Sequence, residues 1–288
     1  MPLVSALPLL QAAREGRHAV GAFNAQNLEF VQGILAAAEA LDSPVILQLS
    51  ARTIQYGGMA TLTAMARAAA QEARVPVALH LDMAGFEMNV RALAAGFTSV
   101  MVAGSNQPFA MHVEETHRVV EVAHALQVPV EGELGLLGET GRDLQTARRL
   151  DPDLVRKFVT LSGVDALAVP PARIQSSPDA APHLDRDRLR AIVDTCGVPI
   201  VLHHASQLED SELSAAIAVG VAKVAIGTEL MAAFTRAVRE ASLRDPDEID
   251  PRVLLAAGRS AIRDLVTSRI RLFGSAGKAT LAGMKILA

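Results

Sequence analysis

Short apolar runs recur along the chain at intervals of roughly 20 to 40 residues, at 19–23, 45–49, 77–81, 99–102, 128–134, 164–169, 198–202 and 221–226. Between them lie longer stretches rich in Ala, Leu, Glu and Arg, so the pattern predicts repeated βα units around a parallel sheet. Pro44, Pro76, Pro129 and Pro199 stand at the openings of four runs, where proline ends a helix and favours extended backbone. Eight such units predict a closed (β/α)8 barrel over about residues 1–243. A charged, Pro-interrupted stretch at 244–251 reads as a surface loop. Beyond it, Leu254, Leu255, Ile262, Leu265, Val266 and Leu272 fall at helical spacing and predict an additional C-terminal helix over about 251–273. Its apolar side needs a cover, either the barrel base or another subunit. The length of 288 residues, half of them apolar, suits a single domain over 1–288.

A barrel predicts where chemistry sits, because functional groups of this architecture gather at the C-terminal ends of the strands. Those ends carry Asn24, Ser50, Asp82, Ser105, Glu133, His203 and Thr228. Strand ends meet solvent and are polar in any case. Carboxylates on two strands and an imidazole on a third nevertheless make a set that points to a site. Two longer connections, 135–153 and 170–185, follow strands at the same rim and read either as tolerated surface insertions or as mobile active-site loops.

Composition removes several classes of function. The net charge is −4 with acids and bases interspersed, which leaves no footprint for nucleic acid or for a polybasic membrane anchor. No 18-residue apolar window lacks a charge or turn former, so no membrane span is expected. Cys196 is the single cysteine and cannot form an internal disulfide; its place at a helix-to-strand turn away from the rim suggests a structural role. The opening MPLVSALPLL lacks a basic n-region and a cleavage site, and the charged residues after it read as a surface helix, so the chain is expected in the cytoplasm.

Seven segments, taken in order, resemble one known family. They are Gly21-Ala22-Phe23-Asn24 with Asn27-Leu28-Glu29, the 43–48 stretch SPVILQ, Val77-Ala78-Leu79-His80-Leu81-Asp82, the 96–101 stretch GFTSVM, Glu131-Gly132-Glu133-Leu134-Gly135, the 164–169 stretch VDALAV and the 272–278 stretch LFGSAGK. In order and spacing, from about residue 3 to 278, these are similar to the class II ketose-bisphosphate aldolases that act on fructose and tagatose bisphosphates. The resemblance implies a TIM barrel, an oligomer of like subunits, and a sugar-phosphate substrate. It implies cleavage to dihydroxyacetone phosphate and an aldehyde, with zinc polarising the carbonyl and an aspartate moving the proton. On that basis Asp82 matches the proton-transferring aspartate, Glu133 a glutamate beside metal and substrate, His203 a zinc histidine and Ser50 a substrate-contacting serine. Glu131, two residues before Glu133, reads equally as a catalytic group or as half of a buried ion pair.

The chain also departs from that pattern at the site. Met83 stands where the first zinc histidine is expected, and an ungapped count puts Gln175 at the second. A thioether and a carboxamide are poor zinc ligands. The family's HGASG becomes His203-His204-Ala205-Ser206-Gln207, which removes both glycines that let backbone amides approach phosphate. Asn and Asp of the family become Ala225 and Ala103. With four lysines in the chain and one of them, Lys223, on a barrel strand, Schiff-base catalysis is disfavoured, and Lys223 is assigned no special role. No cofactor is expected from an intact ligand set. A zinc site rebuilt around His203 and Glu133 requires the backbone to bend, because neighbours such as His203 and His204 on an extended strand face opposite ways.

The resulting expectation is an aldolase-like lyase acting on a ketose phosphate or related sugar-like compound. Asp82, Glu133 and His203 would be catalytic, and Asn24, Ser50, Ser105, Arg173, Gln175, His204, Ser206 and Thr228 would contact substrate. A metal-free isomerase or dehydratase using the same acid and base groups is a second reading, and a metabolite-binding barrel without catalysis a third.

Overall fold

The computed structural model describes residues 3–104, 107–134, 151–171, 173–174, 183–205 and 208–279, with the backbone alone for 173, 174 and 183. Helix α1 (Ala6–Glu15) leads into β1 (Val20–Asn24), α2 (Leu28–Ala40), β2 (Val45–Ser50), α3 (Ala51–Gly57), α4 (Met59–Glu72) and β3 (Val77–Ala84). There follow α5 (Phe86–Ala95), β4 (Ser99–Val102), α6 (Phe109–Ala125), β5 (Val130–Glu133), α7 (Pro152–Ser162) and β6 (Ala166–Val169). A two-residue ribbon, β7 (Arg173–Ile174) with β8 (His183–Leu184), stands apart. The chain then runs through α8 (Arg186–Cys196), β9 (Ile200–Leu202), α9 (Asp210–Val219), β10 (Val221–Ile226), α10 (Thr228–Arg244) and α11 (Pro251–Phe273).

The long strands close into a parallel barrel in the order β1-β10-β9-β6-β5-β4-β3-β2. Each occupies one of the eight predicted apolar runs. β3 runs further than its apolar stretch because Ala84 still pairs with Val102 of β4 after a register shift. Polar residues start several helices: Asn27 Oδ1 accepts from the Phe30 amide, Ser50 Oγ from Thr53 and Asp185 Oδ1 from Arg188.

Two apolar layers hold the fold. The outer one joins the strands' outward residues to the surrounding helices. The inner one fills the barrel with small and aliphatic side chains, among them Ala22, Ile46, Ala78, Met101, Ala168 and Val201. Helix α1 is more than the expected surface helix: Leu9, Leu10 and Ala13 are buried in this inner layer, so α1 plugs the floor while Glu15 faces outward.

That plug decides the place of the C-terminal helix. With the base taken, α11 lies along the flank against α2 and α10, burying Ile262, Val266, Ile270 and Phe273. The helices approach closely at Gly33, where a Cβ would stand 2.8 Å from the Arg259 carbonyl oxygen. Cys196 ends α8, buried and bonded through Sγ to the Val198 carbonyl, on the floor side as expected. Among the described residues no helix is long and apolar enough to cross a membrane. The two connections read as surface insertions or mobile loops fall largely outside the described residues.

Candidate active site

At the C-terminal mouth, Asn24, Asp82 and Glu133 end or near the end of β1, β3 and β5, and His203 directly follows β9. These are alternate strands around the barrel, the arrangement by which a barrel gathers four side chains into one layer. Asp82 is the hub. Its Oδ2 accepts from Asn24 Nδ2 at 3.2 Å, and its Oδ1 meets His203 Nε2 at 3.2 Å. Asn24 is oriented from behind, because its Oδ1 accepts from Gln48 Nε2 at 3.2 Å. Burial by itself would raise the Asp82 carboxyl. The His203 hydrogen bond and charge, with His80 and Lys223 beyond, hold it instead well below the usual carboxylate range. Burial pulls His203 the other way, and Asp82 outweighs it, so the imidazole is raised and donates through Nε2.

Beneath this layer lies a second polar set, one step down the same strand faces. His80 sits two residues before Asp82 and Glu131 two before Glu133, as the period of two requires. Lys223 Nζ donates to Glu131 Oε2 at 2.8 Å and to His80 Nε2 at 3.2 Å. His80 Nε2 is thereby an acceptor, so the ring proton sits on Nδ1 and donates to Ser99 Oγ at 2.8 Å. Lys223 and Glu131 are 1% and 2% exposed, so Glu131 is one half of a buried ion pair and Lys223, assigned no special role from sequence, is the other.

His80 links this layer to pH. Burial, then the Lys223 charge, hold its pKa well below 6.5, with His203 acting the same way and Asp82 opposing. The folded protein therefore keeps His80 neutral while the unfolded chain takes up a proton as pH falls through about 6.5. Stability from this group is complete above that pH and lost below it. His80→Gln, whose amide oxygen can still accept from Lys223, is expected to flatten the decline of melting temperature between pH 7 and pH 5. The difference approaches about 1.4 kcal/mol per pH unit for one proton. An unchanged slope in thermal melts would refute it; the raised His203 contributes with opposite sign in both proteins and cancels.

The mouth corrects one sequence expectation. His203 and His204 do not face opposite ways: His204 adopts φ +54°, and the two rings meet edge to face with centroids 4.6 Å apart. The residue after His203 is glycine in the pattern this chain resembles, and the left-handed turn that suits glycine is present here although histidine occupies it. His204 thus joins Glu133 and His203 in one group whose ligand atoms all lie within 4.8 Å of one another. Met83, at φ +48°, is half-buried and packs on the inner apolar layer.

The remaining expected contacts divide. Ser50 pairs in register with Asp82, but its hydroxyl is used on Thr53, capping α3. Thr228 opens α10 at the rim and is exposed. Arg173 contributes backbone to β7, and its side chain, like Ser105, Gln175 and Ser206, lies outside the described residues. Sequence reasoning passed over Gln48 as a site residue and the Lys223 network. The available signal was a Gln inside the apolar run VILQLS and a Lys inside VAKVAI, positions where a polar side chain must be paired.

Comparison with known proteins agrees with this fold. The family described as Fructose-bisphosphate aldolase class-II matches residues 4–278. A fructose-bisphosphate aldolase of Thermus caldophilus is 42% identical over 96% of this chain and all of its own length. A 6-phospho-5-dehydro-2-deoxy-D-gluconate aldolase of Shouchella clausii is 38% identical over 97% of each chain. Among solved structures, the YdjI aldolase from Escherichia coli K12 superposes with a TM-score of 0.83 at 31% identity, covering 96% of this chain and 100% of that one. The chain belongs to the class II fructose-bisphosphate aldolase family.

Proposed function

We propose that this barrel is a carbon–carbon lyase that makes or breaks an aldol bond in a ketose phosphate or a related sugar-like substrate. The observation that carries the reading is Asp82: a buried, ionised carboxylate at the mouth, held by donors from β1 and the β9 end. Aldol chemistry needs a base that removes and returns a proton beside a carbonyl, and a fixed carboxylate supplies it. Asn24 and His203 orient the two Asp82 oxygens, and Gln48 fixes Asn24. The same donors restrain the carboxylate's basicity, so the substrate's C–H must be made more acidic by whatever faces its carbonyl.

In this family that function falls to zinc, which stabilises negative charge on the carbonyl oxygen when bound. The residues present fit a zinc ion. Two imidazoles and a carboxylate are a donor set that catalytic zinc accepts, and His203 Nδ1 and Glu133 Oε2 are buried with no hydrogen-bond partner among the described residues. Glu133, His203 and His204 would hold the ion, and Glu133 is kept in place by its own carbonyl, which accepts from His112 Nε2 at 2.7 Å.

The substrate class is open to choice among phosphorylated sugars, since curated relatives of near-equal identity carry different substrate names. Oligomeric assembly and a cytoplasmic setting accord with the family resemblance and with one buried free cysteine. The test is proton exchange. Purified protein incubated with dihydroxyacetone phosphate in D2O should wash deuterium into the prochiral carbon, seen by NMR, and a panel of ketose phosphates should show cleavage. Absence of both exchange and cleavage across the panel would overturn the proposal.

A further inference from the structure

The geometry points to a divalent-cation site of changed composition, in which His204 serves as a ligand together with Glu133 and His203. It rests on the lyase reading for the ion's role, but not for its binding. Three features of the chain's own residues carry it.

The first is the state of His203. Its Nε2 is committed to Asp82, and this contact turns Nδ1 toward Glu133 Oε1, 3.9 Å away, too far for a hydrogen bond. Among the described residues Nδ1 has no hydrogen-bond partner, although His203 is 6% exposed. An imidazole whose one nitrogen donates to a carboxylate while the other stays free is how a metal-bound histidine is oriented. The second is Glu133, 5% exposed, whose Oε2 is buried and equally without a partner among the described residues. Buried polar atoms are normally satisfied, so two orphans side by side call for a common partner.

The third is the backbone at His204. A left-handed φ costs a β-carbon residue about 1–2 kcal/mol, and at φ +54° it is what brings the second ring beside the first. Ligand atoms around a tetrahedral zinc lie about 3.4 Å apart, given bonds of about 2.1 Å. The atoms of Glu133, His203 and His204 lie within 4.8 Å, and His204 is exposed, so a rotation of its side chain would close the difference. Three protein ligands would leave a fourth position for a substrate oxygen.

The experiment uses the full chain, stripped with a chelator and titrated with zinc against a chromogenic competitor, with cobalt(II) as a spectroscopic probe. Wild type should take up one zinc per chain and show the intense visible bands of tetrahedral cobalt. His204→Gly is the decisive variant, because glycine suits the left-handed backbone and should fold at least as well, as a thermal melt will show. Its zinc affinity is expected to fall at least ~100-fold, the upper end of what loss of a supporting residue alone does. Glu133→Gln should fall similarly. Wild type that takes up no zinc, or His204→Gly that binds it as tightly as wild type, would overturn the site. Proton exchange at full rate in zinc-free protein would overturn the ion's role in the reaction and leave the lyase standing, whereas zinc uptake without exchange or cleavage would uphold the site and overturn the lyase.

Discussion

Asp82→Asn is expected to lower turnover by about 10²–10⁴-fold while changing KM little, because it removes the proton acceptor and keeps the shape of the side chain. The hydrogen-bonded row explains why the variant should still fold. Gln48 donates to Asn24, and Asn24 to Asp82. An amide at 82 sets its NH2 against the Asn24 NH2, and a flip of Asn24 together with Gln48, whose Oε1 has no partner among the described residues, restores the sequence of donors and acceptors. The cost to stability is then small, and the charge that raised His203 disappears. Deuterium exchange and cleavage rates measured beside a thermal melt separate the two effects. A loss below about tenfold, with the fold intact, would show that another group moves the proton.

Lys223→Met is expected to be the most destabilising of these changes. Glu131 would remain ionisable and buried with its cation gone, and breaking a buried pair from one side costs about 3–5 kcal/mol. His80 Nε2 would also lose its donor. For a chain of this size the melting temperature should fall on the order of 10 °C. Replacing both partners, as Lys223→Met with Glu131→Leu, removes the uncompensated charge and should recover much of the loss, because removing both ions of a buried pair is often neutral or favourable. Calorimetry of the two variants decides it. A double variant as unstable as the single one would mean that the floor of the site depends on the charges themselves and not on their pairing.

Much of the architecture could be read along the chain. Strand runs such as Val45–Ser50 and Val221–Ile226 are short, apolar and opened by proline or glycine, and both properties are local, so their positions hold in the barrel. Once a barrel is inferred, strand ends become candidate chemistry, which is why Asp82, Glu133 and His203 stand out as candidates along the chain. Ser50 shows the limit of that rule: the same strand-end position can be spent on capping α3.

Three-dimensional closure decided the rest. Asp82 and His203 are 121 residues apart, Lys223 and Glu131 are 92 apart, and no spacing announces that these side chains meet. A lysine on a strand looks ordinary until the barrel turns it inward, where burial without a partner would be prohibitive and pairing becomes obligatory. The flank position of α11 follows from α1 already filling the floor, a competition between distant segments that neither one encodes alone. His204 is the clearest case. A rule of alternating faces separates it from His203, and a single backbone angle of +54°, held by the fold around it, puts both imidazoles on one side of the mouth. Local pattern set the scaffold and named the hub carboxylate; which groups surround it was settled by contacts that exist only after the eight strands have closed.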